Sequence, residues 1–128
     1  MATLILDASV LIGLLDSADG HHAHAVDDVD AADYARHDLL AAASAYSEAL
    51  VAFARAGRIT DAREALAAMG ITIAPLDQRT AERAAQLRAQ HDALRLPDAI
   101  VLATAAARQA RLLSYDDRLV KLANTGGP

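Results

Sequence analysis

The chain has 128 residues and a formal charge of −5, the size of one domain with a single layered core and the opposite sign to the basic balance expected where phosphates are bound. The absence of cysteine excludes a disulfide framework and a thiolate metal centre. One Phe, three Tyr and no Trp argue against an aromatic platform for stacking bases and, with 54% apolar residues, imply a tightly packed aliphatic core.

In chain order, Thr3 to Leu6 reads as a strand closed by Asp7, and Ser9 is placed to cap a helix running to Leu15. His21 to Arg36 reads as an exposed acidic helix. A second strand covers Leu39 to Ala43, followed by Ser44 as a helix cap and a helix from about Ala45 to Ala56 that stops at Gly57. Thr60 to Met69 is a helix ended by Gly70, and Ile71 to Ala74 is a strand bounded by Pro75. Asp77 or Thr80 caps a helix reaching about His91, with the cap the favoured role for Asp77. Pro97 fits the first turn of a helix extending to about Ala110. Arg111 to Tyr115 forms the last strand, Asp116 to Ala123 a terminal helix, and residues 124–128 a loose tail, so that residues 1–123 make one domain.

Strands alternating with helices predict an α/β layered domain around a mostly parallel sheet of four or more strands, because parallel neighbours need helical crossovers. Nothing resembles a secretory leader, and the apolar run from Ala99 to Ala107 is far shorter than the roughly 20 residues that span a bilayer. The expectation is a soluble cytoplasmic protein with no membrane role. The acidity itself is local: residues 16–38 hold seven acids and one base, Arg36, whereas from residue 39 onward there are nine acids against eleven bases.

Ligands of open parallel sheets sit at the carboxyl ends of the strands. Asp7 and Asp116 follow the first and last strands, and Glu48 lies near the start of the helix leaving the second strand. The helix beginning at Pro97 feeds the last strand and runs antiparallel to it, which returns Asp98 to the same edge. That helix is apolar on every face and therefore buried, so a carboxylate at its start needs a partner for its charge. Clustered acids repel and raise one another's pKa unless a cation is present. Oxygen-only donors suit hard cations such as Mg²⁺ and Mn²⁺. Taken singly, each acid also has an ordinary reading as a turn former, a first-turn helix acid or a solvated side chain.

The segments Leu6-Asp7-Ala8-Ser9-Val10-Leu11-Ile12, Ser47-Glu48-Ala49-Leu50, Leu96-Pro97-Asp98-Ala99-Ile100 and Leu113-Ser114-Tyr115-Asp116 together resemble the PIN-domain nucleases, and in size and motif order the VapC-type toxins of bacterial toxin–antitoxin pairs. The resemblance covers nearly the whole chain. It implies a PIN-like three-layer fold and a Mg²⁺-dependent endoribonuclease, with Mn²⁺ as a substitute. It also implies in-line attack by a metal-activated water leaving a 5′-phosphate and a 3′-hydroxyl, a cognate antitoxin as partner, and a homodimer. It assigns the metal and the catalysis to Asp7, Glu48, Asp98 and Asp116. Ser9 and Ser114 match positions where the family carries a supporting hydroxyl. The Asp116-Asp117 doublet leaves the register open by one residue, with Ser114 two positions earlier favouring Asp116; Asp117 assists or caps the last helix.

Arg55, about 10 Å along the helix from Glu48, and Arg58 read as solvated charge, with a grip on phosphate as the alternative. His21, His22 and His24 lack a metal-ligand spacing and read as surface histidines. A receiver domain would need a late-strand Lys, whereas the sole Lys, Lys121, falls in the terminal helix; a haloacid-dehalogenase-like phosphatase would need an Asp where Ser9 stands. The competing function is a non-catalytic module of the same fold that binds RNA or protein.

Overall fold

The computed structural model describes residues 2–125. Four strands, β1 (Thr3–Leu6), β2 (Asp38–Ala42), β3 (Ile71–Ala74) and β4 (Arg111–Leu113), form one sheet in the order β3-β2-β1-β4 with every neighbouring pair parallel. The helices are α1 (Ala8–Leu15), α2 (His22–Tyr34), α3 (Ala43–Arg55), α4 (Ile59–Ala68), α5 (Gln78–Gln90), α6 (Leu96–Ala107) and α7 (Asp117–Thr125). This is the α/β architecture expected from the alternation of elements. In the central strand β1, Leu4, Ile5 and Leu6 are all buried although neighbours point to opposite faces, so helices cover the sheet on both sides.

Burial explains the helices. α6 buries Ala99, Val101, Leu102, Ala103, Thr104 and Ala105, and the Thr104 hydroxyl is satisfied by donating to the Ile100 carbonyl at 2.7 Å. α2 is acidic but not wholly exposed: Ala25, Val29 and Ala32 form a buried stripe at helical spacing. Gly57 and Gly70 take φ of +68° and +76° just past α3 and α4, the left-handed conformation that ends a helix cheaply at glycine.

Several boundaries differ from the sequence reading. Ser9 does not cap α1; Asp7 does, accepting from the Val10 amide at 3.2 Å, and the Ser9 hydroxyl donates to Asp7 instead. Ser44 does not cap α3 either, because the helix starts two residues earlier, at Ala43, and the hydroxyl reaches the Pro97 carbonyl at 2.8 Å. Glu48 therefore sits in the second turn. α6 stops at Ala107, where Gln109 adopts φ of 51° without a glycine to advertise the turn. β4 ends at Leu113 rather than Tyr115, because the next amides leave the ladder for side chains: Tyr115 donates to Ser9 Oγ and Asp116 to Ser114 Oγ, both at 3.0 Å. α7 runs two residues past Ala123, and residues 126–128 of the expected tail lie outside the described residues.

Candidate active site at the carboxyl edge of the sheet

The strand ends fix the first part of the site. Asp7 follows β1, and its amide donates to the Leu113 carbonyl at 3.3 Å, extending the β1–β4 pairing by one step. Its side chain is buried and accepts three hydrogen bonds: from the Ser9 hydroxyl at 2.6 Å and the Val10 amide on Oδ1, and from the Ser114 hydroxyl on Oδ2. Both serines singled out from sequence thus hold Asp7. Ser9 further ties down the β4 exit by accepting from Tyr115.

Asp116 stands just before α7. Its Oδ1 accepts from the Arg118 amide at 3.0 Å and the Leu119 amide at 3.3 Å, so the acid caps the helix while its side chain stays half-exposed. Within the doublet, Asp116 lines a cleft together with Asp98, whereas Asp117 is exposed in the first turn of α7.

Glu48 and Asp98 reach the same edge from α3 and α6 and are joined by Arg95. The guanidinium donates from Nη2 to Glu48 Oε2 at 2.7 Å, and its Nε lies 3.5 Å from Asp98 Oδ2. Arg95 carries an elevated pKa, chiefly from the hydrogen bond to Glu48 and then from the charges of Glu48 and Asp98. Burial raises the pKa of Asp98; Arg95 opposes that, and the charges of Glu48, Asp116 and Asp7 push it further up. The charges of the other three acids named from sequence thus all bear on Asp98.

Asp98 and Asp116 open onto a cleft of ≈ 560 Å³ whose walls include Leu94 and Leu119, with Arg118 and Lys121 also lining it. A second cavity of ≈ 460 Å³, lined by α5, α6, β4 and α7, is lined by no acid. Among the described residues no three acidic or imidazole side chains already converge tightly enough to hold a metal ion. The donor chemistry nevertheless fits a hard divalent cation: four carboxylates, mutually repelling at Asp98, with one guanidinium supplying positive charge between two of them.

The remaining sequence candidates lie apart. Asp77 caps α5 by accepting from the Thr80 amide at 2.8 Å, which holds its pKa low. Arg58 pairs with Asp61 at 2.8 Å on the surface, and Arg55 is exposed. The histidines are more than surface decoration. His21 and His24 stack on the Tyr115 ring, with centroids 4.7 and 4.9 Å away, and the Tyr115 hydroxyl donates to Asp28 at 2.7 Å. His22 meets the Gly13 carbonyl at 2.7 Å. This clasp fastens the start of α2 to the residue beside Asp116. Burial and the bond to Asp28 raise the Tyr115 pKa.

Fold and site together define a parallel α/β domain with an acidic cleft at the carboxyl edge of its sheet. The chain belongs to the PIN domain family, whose sequence model matches residues 4–125. Its structure is similar to that of a chain described as a toxin–antitoxin complex from Klebsiella pneumoniae, with a TM-score of 0.70 and 26% identity, covering 88% of this chain and 86% of that one. It is also similar in fold to Mycobacterium tuberculosis VapC20, a sarcin-ricin loop cleaving toxin, with a TM-score of 0.71 and 14% identity over 92% of this chain and 93% of that one. No curated protein matches the sequence. Among the described residues no helix is long and apolar enough to cross a membrane.

Proposed function

We propose that this PIN-domain chain is an endoribonuclease that hydrolyses RNA phosphodiester bonds with the help of Mg²⁺, for which Mn²⁺ substitutes, and that it is the toxin of a toxin–antitoxin pair. The observation that carries the reading lies at the carboxyl edge of the sheet, where Asp98 and Asp116 line one open cleft, Arg95 joins Glu48 to Asp98, and Ser114, two residues before Asp116, holds Asp7. Family membership supports the nuclease chemistry, and the toxin–antitoxin likeness over most of the chain supports a cognate antitoxin as partner. A cytoplasmic homodimer belongs to the same reading, its single folded unit reaching to the end of α7 at Thr125.

Asp7, Glu48, Asp98 and Asp116 would hold the cation. When bound, it supplies charge neutralisation at the scissile phosphate and lowers the pKa of a water that serves as nucleophile. The residues of the chain do the positioning. Ser9, Ser114 and the Val10 amide fix the Asp7 carboxylate, and the α7 amides fix Asp116. Arg118 and Lys121 line the cleft beside Asp98 and Asp116, where they offset the repulsion between an acidic site and a polyanion.

The test is incubation of purified protein with a mixed pool of structured RNAs in Mg²⁺, Mn²⁺ or EDTA, followed by identification of the new ends. Metal-dependent cuts bearing a 5′-phosphate and a 3′-hydroxyl are expected. Cuts of equal yield in EDTA, or none in any condition with antitoxin absent, would overturn the reading.

A further inference from the structure

Arg95 occupies an unusual place for a cation. It immediately precedes the Leu96-Pro97-Asp98 start of α6 and is the N-cap residue of that helix, its carbonyl accepting from the Ala99 amide at 3.0 Å. The backbone is thus anchored, while the side chain is 62% exposed and spans to Glu48 on α3. A guanidinium presents its donors as a rigid fork and can address two carboxylates at once. Here the fork takes Glu48 Oε2 and approaches Asp98 Oδ2, two oxygens from two of the four acids.

We propose that Arg95 is a resident counter-ion that competes with the divalent cation for Glu48 and Asp98, and that loading the site releases it. The inference rests on the reading of the four carboxylates as a cation site. In the metal-free chain Arg95 partly neutralises an acidic cluster whose members repel one another. Among the described residues no three of those acids stand close enough together to hold an ion, and two of them, Glu48 and Asp98, are engaged by the guanidinium instead. An incoming cation needs the same oxygens and is repelled by the guanidinium, so both cannot be fully engaged. The bridge is built to yield: the Glu48 and Arg95 side chains are 31% and 62% exposed, and exposed ion pairs are weak. Release needs only side-chain rotation at Arg95, because the α6 cap is made by its backbone.

Two consequences follow from linkage. Removing the competitor strengthens cation binding, and cation binding frees the guanidinium over the same concentration range. The experiment is a Mg²⁺ titration of the metal-free full chain. It is followed by calorimetry and by the NMR signal of the Arg95 Nε–H group, with Arg95→Gln and Arg95→Lys measured in parallel. The Arg95 signal is expected to move towards that of a solvated arginine with the same midpoint as the heat. Arg95→Gln is expected to bind Mg²⁺ on the order of tenfold more tightly, and Arg95→Lys, which keeps the charge, to remain close to wild type. Mg²⁺ binding with an unmoved Arg95 signal, or with no gain in Arg95→Gln, would overturn the competition and leave the metal site standing. No Mg²⁺ binding in any of the three proteins would overturn both.

Discussion

The Ser114 hydroxyl donates to Oδ2 of Asp7, joining two residues 107 apart in sequence that the pairing of β1 and β4 brings side by side. Ser9 holds the other oxygen of the same carboxylate and also receives the Tyr115 amide. Asp7 is consequently fixed by the chain itself before any ligand arrives. Hydrogen bonds to a charged, buried group contribute about 1.5–3 kcal/mol. Ser114→Ala is expected to cost stability of that order in urea unfolding and to slow cleavage. Ser9→Ala is expected to cost a similar amount, since each hydroxyl donates to Asp7 and accepts one backbone amide, from Tyr115 at Ser9 and from Asp116 at Ser114. The double variant should lose less than the sum, since both serines act on one carboxylate.

Asp98 carries the pH dependence. Folding raises its pKa, first through burial and then through Glu48, Asp116 and Asp7, against the opposing pull of Arg95. The folded metal-free chain therefore holds this proton more tightly than the unfolded chain. Ionised Asp98 subtracts stability above its folded pKa, and the penalty fades as pH falls through that raised value towards the ordinary value of 3.8. Asp98→Asn never ionises. It is expected to be more stable than wild type at neutral pH without metal, with the gap closing on the acid side, as thermal melts across pH in EDTA can show. Mg²⁺ affinity of the wild type should fall over the same acid range, because the cation needs the carboxylate.

Tyr115 makes a separate prediction about α2. Its ring lies against His21 and His24 and its hydroxyl is bonded to Asp28. Tyr115→Phe keeps the ring contacts and loses one hydrogen bond, an expected cost of about 1 kcal/mol. Tyr115→Ala loses the ring as well and should cost about 2–4 kcal/mol. Hydrogen exchange at the first turn of α2 should rise more in the Ala variant than in the Phe variant.

The parallel α/β plan was legible because it depends on local signals: apolar runs for the strands, and Gly57 and Gly70 for the ends of α3 and α4. The starting positions of Asp7, Asp98 and Asp116 relative to β1, α6 and β4 follow from topology alone, and Asp98 and Asp116 line one cleft. The misassigned caps have a common cause. Ser9 and Ser44 are good local caps, but each hydroxyl has a better partner elsewhere, at Asp7 and at the Pro97 carbonyl. The role of Arg95 was not legible because its bond to Glu48 spans 47 residues, and the histidine–tyrosine clasp was not because it joins opposite halves of the chain. Neither leaves a periodic or motif-like trace.

The central claim is that carboxylates from four segments act together on RNA, and the most direct measurement is the single-turnover cleavage rate of Asp98→Asn in saturating Mg²⁺, with folding checked by circular dichroism. A folded variant slower by about 100-fold or more is expected, since Asp98 lines the cleft with Asp116 and is joined to Glu48 through Arg95. A folded variant that cuts as fast as the wild type would contradict the account.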